Sequence, residues 1–165
     1  MQTVSDADLQ QITQQLADKL QAMGWQLSAA ESCTGGWLGK CCTDLTGSSA
    51  WFDRGFITYS NQSKQDLLNV KPLTLEHFGA VSEQTAIEMA QGALAHSNAD
   101  ISVSITGIAG PDGGSSNKPV GTVWIAWTTK FSAKAELFNF HGNREAVRRQ
   151  AVYTALNGII KNARD

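Results

Sequence analysis

Hydrophobic positions along this chain follow a helical period first and a strand period next. Apolar residues in the first segment recur at three- or four-residue steps, at Leu9, Ile12, Leu16 and Leu20. This spacing predicts an amphipathic helix that Gly24 ends. Residues 25–30 then alternate apolar side chains with smaller or polar ones, which predicts a strand. The same reasoning predicts strands at 51–59, 101–106, 121–128 and 133–140, and helices at 37–44, 64–69, 74–78, 83–95 and 143–162.

The order of these elements predicts the fold class. Strands that alternate with helices favour a parallel sheet covered by helices, and the last two strands are typical of an antiparallel hairpin. The sequence therefore predicts an α/β fold, a three-layer α/β/α single domain with a mixed β-sheet over residues 1–165. Ser82 is expected to cap the helix at 83–95, with Ile87, Ala90 and Leu94 on its inner face.

Composition narrows the function classes. Of the 165 residues 42% are hydrophobic and 17% charged, which is typical of a globular protein. The net charge of −2 gives no general attraction to nucleic acid or to a membrane surface. The sequence shows no bilayer-length apolar run and no signal segment, so we expect a cytoplasmic protein. The three cysteines are odd in number and clustered, and no metal-ligand spacing is present, so neither a disulfide framework nor a metal or cofactor site is predicted.

The first candidate site is the turn at residues 31–36. It joins a predicted strand to a predicted helix, so its backbone N–H groups are placed to hold a phosphate or an oxyanion. Its polar side chains and glycines are candidate ligand contacts: Glu31, Ser32, Thr34, Gly35 and Gly36. The alternative is an ordinary helix start, with glycines that allow close packing. The spacing alone does not separate these two interpretations.

A second candidate combines Ser48 or Ser49 with Tyr59 and Lys64. A serine becomes a nucleophile only when a base takes its proton, and the three histidines of the chain are scattered. Lys64 is a candidate base if burial keeps its amine neutral, and Tyr59 is a candidate proton relay or oxyanion donor. The simpler alternative is a solvated lysine on a short helix and a tyrosine at the end of a strand. The pattern alone favours that simpler alternative.

Two further features are typical of ligand binding. The glycine-rich loop after the strand at 101–106 lies where open α/β sheets bind ligands, which makes Thr106, Gly107 and Gly110 candidate contacts. Arg144 and Arg148 are four residues apart and share one helix face, which suits a phosphate or carboxylate. A solvated basic stripe is the commoner meaning of such a pair.

These motifs, taken together, resemble the CinA C-terminal domain family. The resemblance is carried by segments in the family's order at 30–36, 47–52, 55–61, 79–82, 106–114, 118–123 and 144–148. It implies an α/β fold, a homodimer, and hydrolysis of the carboxamide of nicotinamide mononucleotide to nicotinate mononucleotide and ammonia. The family's catalytic serines correspond to Ser32 and Ser49, its tyrosine to Tyr59 and its lysine to Lys64.

The resemblance leads to a mechanistic hypothesis with alternatives. Ser49 attacks the amide carbon while Lys64 takes its proton, directly or through Ser32. Backbone amides near Ser49 or in the loop at 107–110 hold the oxyanion, and a glycine turn or an arginine holds the phosphate. Ser32 is the alternative nucleophile, and direct attack by water is a third route.

Two other functions stay open at this point. One is a non-catalytic nucleotide-binding or interaction module, and the other is an amidase for a different small amide. A lysine beyond reach of any serine hydroxyl would favour the module.

Overall fold

One five-stranded mixed sheet forms the centre of the molecule. The computed structural model describes residues 3–164, and its strands are β1 (Leu27–Glu31), β2 (Phe52–Ile57), β3 (Ile101–Gly107), β4 (Thr122–Thr129) and β5 (Ala133–Asn139). Their order across the sheet is β2-β1-β3-β4-β5. β1 runs parallel to both β2 and β3, whereas β4 is antiparallel to β3 and to β5. The predicted mixed sheet with a late hairpin is confirmed.

Helices cover both faces of this sheet, which confirms the predicted three-layer arrangement. They are α1 (Asp6–Met23), α2 (Trp37–Thr43), α3 (Asn61–Leu68), α4 (Pro72–Phe78), α5 (Glu83–Ala95) and α6 (Arg144–Asn162). α1, α2 and α6 pack together on one face, while α5 lies across the other with α3 and α4 beside it. The predicted domain limits also include residues 1, 2 and 165, which lie outside the described range.

Small residues on the sheet decide which face of α5 is buried. The hydroxyls of Ser28, Ser102 and Ser104 donate to backbone carbonyls of α5 at 3.2, 2.6 and 2.6 Å. These contacts hold the helix backbone close to the strands, so that mostly small side chains fit between them: Ala86, Met89, Ala90 and Ala93. The prediction for Ala90 is confirmed. The prediction for Ile87 is also confirmed, because Ile87 is half-buried and packs against Ala86, Ala90 and Ala126. The prediction for Leu94 is wrong, because Leu94 is only half-buried at the edge of this stripe.

The helix that carries Lys64 begins three residues earlier than predicted. Ser60 caps α3, and its hydroxyl accepts a hydrogen bond from the amide of Ser63 at 3.0 Å. Lys64 therefore lies on the first turn of the helix rather than at its start. From there its side chain reaches back to the carboxyl end of β2.

The strand order determines where a ligand site is expected. The parallel strands β1, β2 and β3 end at the same edge of the sheet. β2 lies on one side of β1 and β3 on the other, so the strand order reverses at β1. Open α/β sheets bind ligands in the crevice that such a reversal of strand order creates. Among residues 3–164, no helix has the length and hydropathy needed to cross a bilayer.

Candidate active site

A cavity of about 280 Å³ lies at the carboxyl ends of the three parallel strands. Ser32 and Cys33 line it from the turn after β1, and Tyr59 and Lys64 line it from the segment after β2. The loop after β3 closes the remaining side, together with Arg144 from α6. Ser32, Tyr59, Lys64 and Arg144, which were predicted as site residues from separate parts of the sequence, therefore share one cavity.

Lys64 is the buried centre of this cavity. Its side chain is only 1% exposed, and its Nζ lies 3.1 Å from the Ser32 hydroxyl oxygen. The same nitrogen donates to the backbone carbonyl of Thr58 at 2.7 Å and to that of Tyr59 at 3.5 Å. Within residues 3–164, no carboxylate forms an ion pair with Lys64.

These contacts make Lys64 suitable as a base. Burial lowers the pKa of Lys64 below its ordinary value of 10.5, and only the thiol of Cys33 acts in the opposite direction. A neutral amine keeps two N–H donors and one lone pair. Because carbonyl oxygens only accept, the carbonyls of Thr58 and Tyr59 take the two N–H groups. In the structure Lys64 Nζ donates to the Ser32 hydroxyl oxygen; in a neutral amine the lone pair would face Ser32, and the hydroxyl would donate to it.

The loop after β3 and Arg144 form the opposite wall of the cavity. Thr106, Gly107 and Gly110 line the cavity where the sequence predicted them. Arg144 donates to the carbonyl of Gly110 at 2.8 Å and to the hydroxyl of Tyr59 at 3.1 Å. This guanidinium forms no ion pair with any carboxylate in the described part of the chain. Two of its five N–H donors are used, so positive charge remains available to a ligand.

Comparison with known proteins gives this geometry a family. Residues 9–163 match the model of the CinA C-terminal domain. The chain is 52% identical to a nicotinamide-nucleotide amidohydrolase PncC of Enterobacter agglomerans, with 96% of this chain and all of that protein covered. It is also 52% identical to the PncC of Escherichia coli K12, over 94% of this chain and 95% of that protein. The crystal structure of the competence/damage inducible protein CihA from Agrobacterium tumefaciens superposes with a TM-score of 0.93 at 41% identity, covering 97% of this chain and 98% of that one.

The chain belongs to the CinA C-terminal domain family. The family resemblance inferred from the sequence motifs is thereby confirmed. The residues that the sequence predicted as site residues do not all line the Ser32 cavity, however.

Glu31 does not face the cavity. Its side chain is 2% exposed, and its carboxylate accepts from the backbone amides of Gly36, Leu38 and Gly39 at 3.1, 3.1 and 2.9 Å. The amides at the start of α2, which were expected to hold a phosphate, are therefore occupied by the protein's own carboxylate. The prediction of Glu31 as a ligand contact is wrong, because it anchors the turn that carries Ser32.

The glycines of the same turn serve its shape. Gly35 and Gly36 have φ values of 59° and 98°, in the left-handed region of backbone conformation that residues with a side chain rarely adopt. A Cβ on Gly36 would also lie 3.0 Å from the Ile57 side chain. Both glycines line a separate cavity of about 790 Å³ between α1 and α2, and Thr34 is fully buried. Thr34, Gly35 and Gly36, which were predicted as ligand contacts, do not line the Ser32 cavity, and Thr34 keeps a buried hydroxyl without a hydrogen-bond partner in the described chain.

Arg148 also lies on the far side of this turn. Its Nε donates to the carbonyl of Cys33 and its terminal nitrogen to that of Thr34, both at 3.0 Å. Its guanidinium lies 5.2 Å from the centre of the Trp37 ring. Although Arg144 and Arg148 start from one helix face, only Arg144 reaches the Ser32 cavity. The two arginines that were predicted to share one ligand therefore line two different cavities.

Ser49 and Lys64 lie at opposite ends of β2. Ser49 is exposed in a 3-10 turn, Ser48–Ala50, directly before the strand, whereas Lys64 follows the strand. The six residues of β2 separate the two by about 20 Å along the sheet. The expected contact between Ser49 and Lys64 is therefore not formed within one chain, and Ser32 is the serine beside the amine.

Three further cavity residues with a thiol or polar side chain were not predicted as site residues: Cys33, Asn61 and Asp112. Asn61 follows the cap of α3, and Asp112 lies within the glycine-rich loop that was itself predicted to bind a ligand. A polar residue inside a predicted binding loop was the available signal for Asp112. Burial raises the pKa of the Cys33 thiol to about 11, so this cysteine is protonated at neutral pH and is not a thiolate nucleophile.

Proposed function

We propose that this protein hydrolyses the carboxamide of nicotinamide mononucleotide to nicotinate mononucleotide and ammonia. The observation that carries the proposal is the buried Lys64 amine within 3.1 Å of the Ser32 hydroxyl, in the crevice at the carboxyl ends of the parallel strands. The PncC relatives, named as nicotinamide-nucleotide amidohydrolases, support the substrate. We further propose that the enzyme acts in the cytoplasm, without nucleic acid or membrane partners.

The chemistry follows from this dyad without a metal or cofactor. Neutral Lys64 takes the proton of Ser32 while Oγ attacks the amide carbon. The tetrahedral intermediate collapses, the C–N bond breaks, and the proton on Lys64 leaves with the nitrogen as ammonia. Water then attacks the acyl ester with Lys64 again as base, which releases the carboxylate and restores Ser32.

Arg144 is the group that best suits the phosphate of the nucleotide. Besides Lys64 it is the cationic side chain of the cavity, and it contacts the loop after β3 through the Gly110 carbonyl. The amides of Ala109, Gly110 and Gly113 in this loop have no hydrogen-bond partner in the described chain. Backbone donors beside a guanidinium are a common arrangement for holding a phosphate. Asp112 on the same loop carries the charge that suits the cationic pyridinium ring or the ribose hydroxyls.

Replacing Arg144 by alanine is expected to raise KM for the mononucleotide about 10- to 100-fold, because one charge-assisted contact contributes about 1.5–3 kcal/mol. The riboside lacks the phosphate, so its hydrolysis should change little. Steady-state ammonia release from both substrates measures this difference. An equal loss for nucleotide and riboside would contradict the phosphate role of Arg144.

The rate of hydrolysis should fall as pH falls. Lys64 must be neutral to accept the proton of Ser32, and burial lowers its pKa, so the active form persists below the ordinary pKa of 10.5 and is lost on further acidification. A pH profile of kcat/KM, taken where circular dichroism shows folded protein, should therefore have an acidic limb that belongs to one group. A flat profile through mildly acidic pH would contradict Lys64 as the base.

We also propose a homodimer in which Ser49 of the partner subunit completes the site. β2 is an edge strand. Its last residue Ile57, Tyr59 just after it and Leu67 on α3 are 46–63% exposed. Two β2 edges related by a two-fold axis run antiparallel, so the start of one strand lies beside the end of the other. Such a pairing brings Ser49 of the partner subunit toward Tyr59 and Lys64, which one chain alone does not do.

The direct test of the substrate is ammonia release from nicotinamide mononucleotide, nicotinamide riboside and nicotinamide in parallel. We expect the mononucleotide to be hydrolysed most efficiently and nicotinamide least. Ammonia from a different small amide only would favour an amidase of another specificity. Tight binding of the mononucleotide without any ammonia would favour a nucleotide-binding module.

A further inference from the structure

Arg148 donates hydrogen bonds to the backbone of the Ser32 turn, and it forms no ion pair with any carboxylate among residues 3–164. Its two hydrogen bonds go to the carbonyls of Cys33 and Thr34, the two residues that follow Ser32. A guanidinium that donates to two successive carbonyls fixes the orientation of both peptide planes. The direction of the backbone N–H groups in this turn follows from these contacts.

In a trans peptide the C=O and the N–H point in opposite directions. The carbonyl of Cys33 points to Arg148, so the amide of Thr34 in the same peptide points away from Arg148. The carbonyl of Ser32 accepts from the amide of Gly35 at 3.1 Å, so the amide of Cys33 points away from that contact. Both amides are thus directed by a hydrogen bond on the far side of their peptide.

Neither of these amides has a hydrogen-bond partner among residues 3–164. Thr34 is fully buried and Cys33 is 7% exposed, and buried backbone N–H groups are rarely left unpaired. Of these two residues Cys33 lines the Ser32 cavity and Thr34 does not, whereas Arg148 lines the separate cavity beyond the turn. Amides directly after a nucleophilic serine are suitably placed to donate to the oxygen of its tetrahedral intermediate.

We propose that the amide of Cys33 forms the oxyanion hole for attack by Ser32. We further propose that Arg148 is the positioning residue that aims this amide, because Arg148 holds the Thr34 carbonyl and the Gly35 amide of the same peptide holds the Ser32 carbonyl. This assignment rests on the proposed function and replaces the expected role of Arg148 as a phosphate contact. Glu31 holds the other end of the turn through the amides of α2, so Arg148 and Glu31 fix the turn from both sides. The positive charge of Arg148 beside the Thr34 carbonyl also polarises the Thr34–Gly35 peptide, which strengthens the Gly35 amide as a donor to the Ser32 carbonyl.

The test compares Arg148→Met with Arg149→Met. Methionine keeps an unbranched stem over Trp37 but has no donors for the carbonyls. Arg149 is the matched control, because its guanidinium lies 5.0 Å from the same ring but pairs with Asp6 and Glu145. Loss of one oxyanion donor lowers kcat by about 10²–10³-fold, so we expect a loss of that order for Arg148→Met with KM unchanged. The loss should be equal for mononucleotide and riboside, and Arg148→Lys should recover part of it.

A second measurement does not depend on turnover. Pyridine-3-boronic acid should bind as a tetrahedral anion, with a bond from Ser32 Oγ to boron and the serine proton on Lys64. Its inhibition or dissociation constant should rise in Arg148→Met by a factor similar to the loss in kcat, and stay at the parental value in Arg149→Met. This arm needs only folded protein, and Arg148→Lys serves if the methionine variant does not fold.

Several results would overturn the assignment. They are an unchanged kcat in Arg148→Met, a rise in KM confined to the mononucleotide, and boronate binding that is absent or independent of Arg148. The proposed function fails separately: boronate binding that depends on Arg148, without any ammonia from the mononucleotide, would remove the substrate and leave the oxyanion hole in place.

Discussion

Replacing Lys64 by methionine is expected to lower kcat by at least about 100-fold, which is the usual contribution of a general base. No histidine lines the Ser32 cavity, and its carboxylate, Asp112, forms no hydrogen bond with Ser32 in the described chain, whereas Lys64 does. Methionine keeps most of the buried stem and removes only the amine. Ammonia release from nicotinamide mononucleotide measures the effect, and turnover near the parental value would contradict the assignment of Lys64 as the base.

Two controls separate lost chemistry from lost structure. Lys71→Met makes the same substitution on a side chain that is 76% exposed, and it should leave kcat unchanged. Folding stability gives the second control. Because burial lowers the pKa of Lys64, the unfolded chain binds more protons between that lowered pKa and 10.5, and stability of the parental protein rises with pH across this window. The rise should be weaker in Lys64→Met.

Ser32→Ala and Ser49→Ala should each be nearly inactive as pure proteins, and their mixture should recover activity. In a mixed dimer, Ser32 of one subunit and Ser49 of the partner subunit both remain in one of the two sites. Equal amounts that exchange subunits freely should therefore restore about a quarter of the parental activity. The measurement is ammonia release after mixing and equilibration, with light scattering to follow the dimer.

The outcomes of this experiment distinguish three arrangements. No recovery from two inactive variants would contradict a site shared between subunits. Full activity of Ser49→Ala would remove Ser49 from the site and leave Ser32 and Lys64 as a complete dyad within one chain. Full activity of Ser32→Ala would contradict the nucleophile assignment itself. Ser63→Ala is a suitable control for the serine-to-alanine change, because Ser63 is half-buried on α3 and its hydroxyl donates only to the carbonyl of Ser60.

Strand direction is the part of the site that the sequence could have predicted in full. The carboxyl ends of parallel strands meet at one edge of a sheet, so Ser32 after β1 and Lys64 after β2 belong together. Ser49 comes before β2, and the same rule places it at the opposite edge. The family resemblance joined Ser49 to Lys64 by their shared role, which says nothing about whether both groups come from one chain.

The partners of Glu31 and Arg148 could not be predicted from spacing. A turn rich in free amides looks the same in sequence whether a ligand or the protein's own carboxylate fills it. Arg144 and Arg148 share a helix face, but the turn after β1 lies between their guanidinium groups, and one of them reaches each side. Long side chains decide such outcomes through tertiary packing, which a helical period does not encode.

The buried face of α5 shows the same limit in the core. Two neighbouring stripes of apolar residues fit the helical period, one with Ile87 and Leu94 and one with Ala86, Met89 and Ala93. The serines of β1 and β3 bring the second stripe against the strands, because their hydrogen bonds to the helix carbonyls leave room mainly for small side chains, and Ile87 packs half-buried at its edge. That contact is long-range and becomes visible only when sheet and helix are seen together.

Mass spectrometry of the enzyme quenched within one turnover tests most directly whether Ser32 forms a covalent intermediate with Lys64 as its base. Nicotinamide mononucleotide should leave a nicotinate mononucleotide ester on the peptide that contains Ser32, and the Lys64→Met variant should leave none. The ester should decay as nicotinate mononucleotide appears. Ammonia release without any ester would show direct attack by water, and an ester on Ser49 would assign the attack to the other serine; either result would contradict Ser32 as the nucleophile.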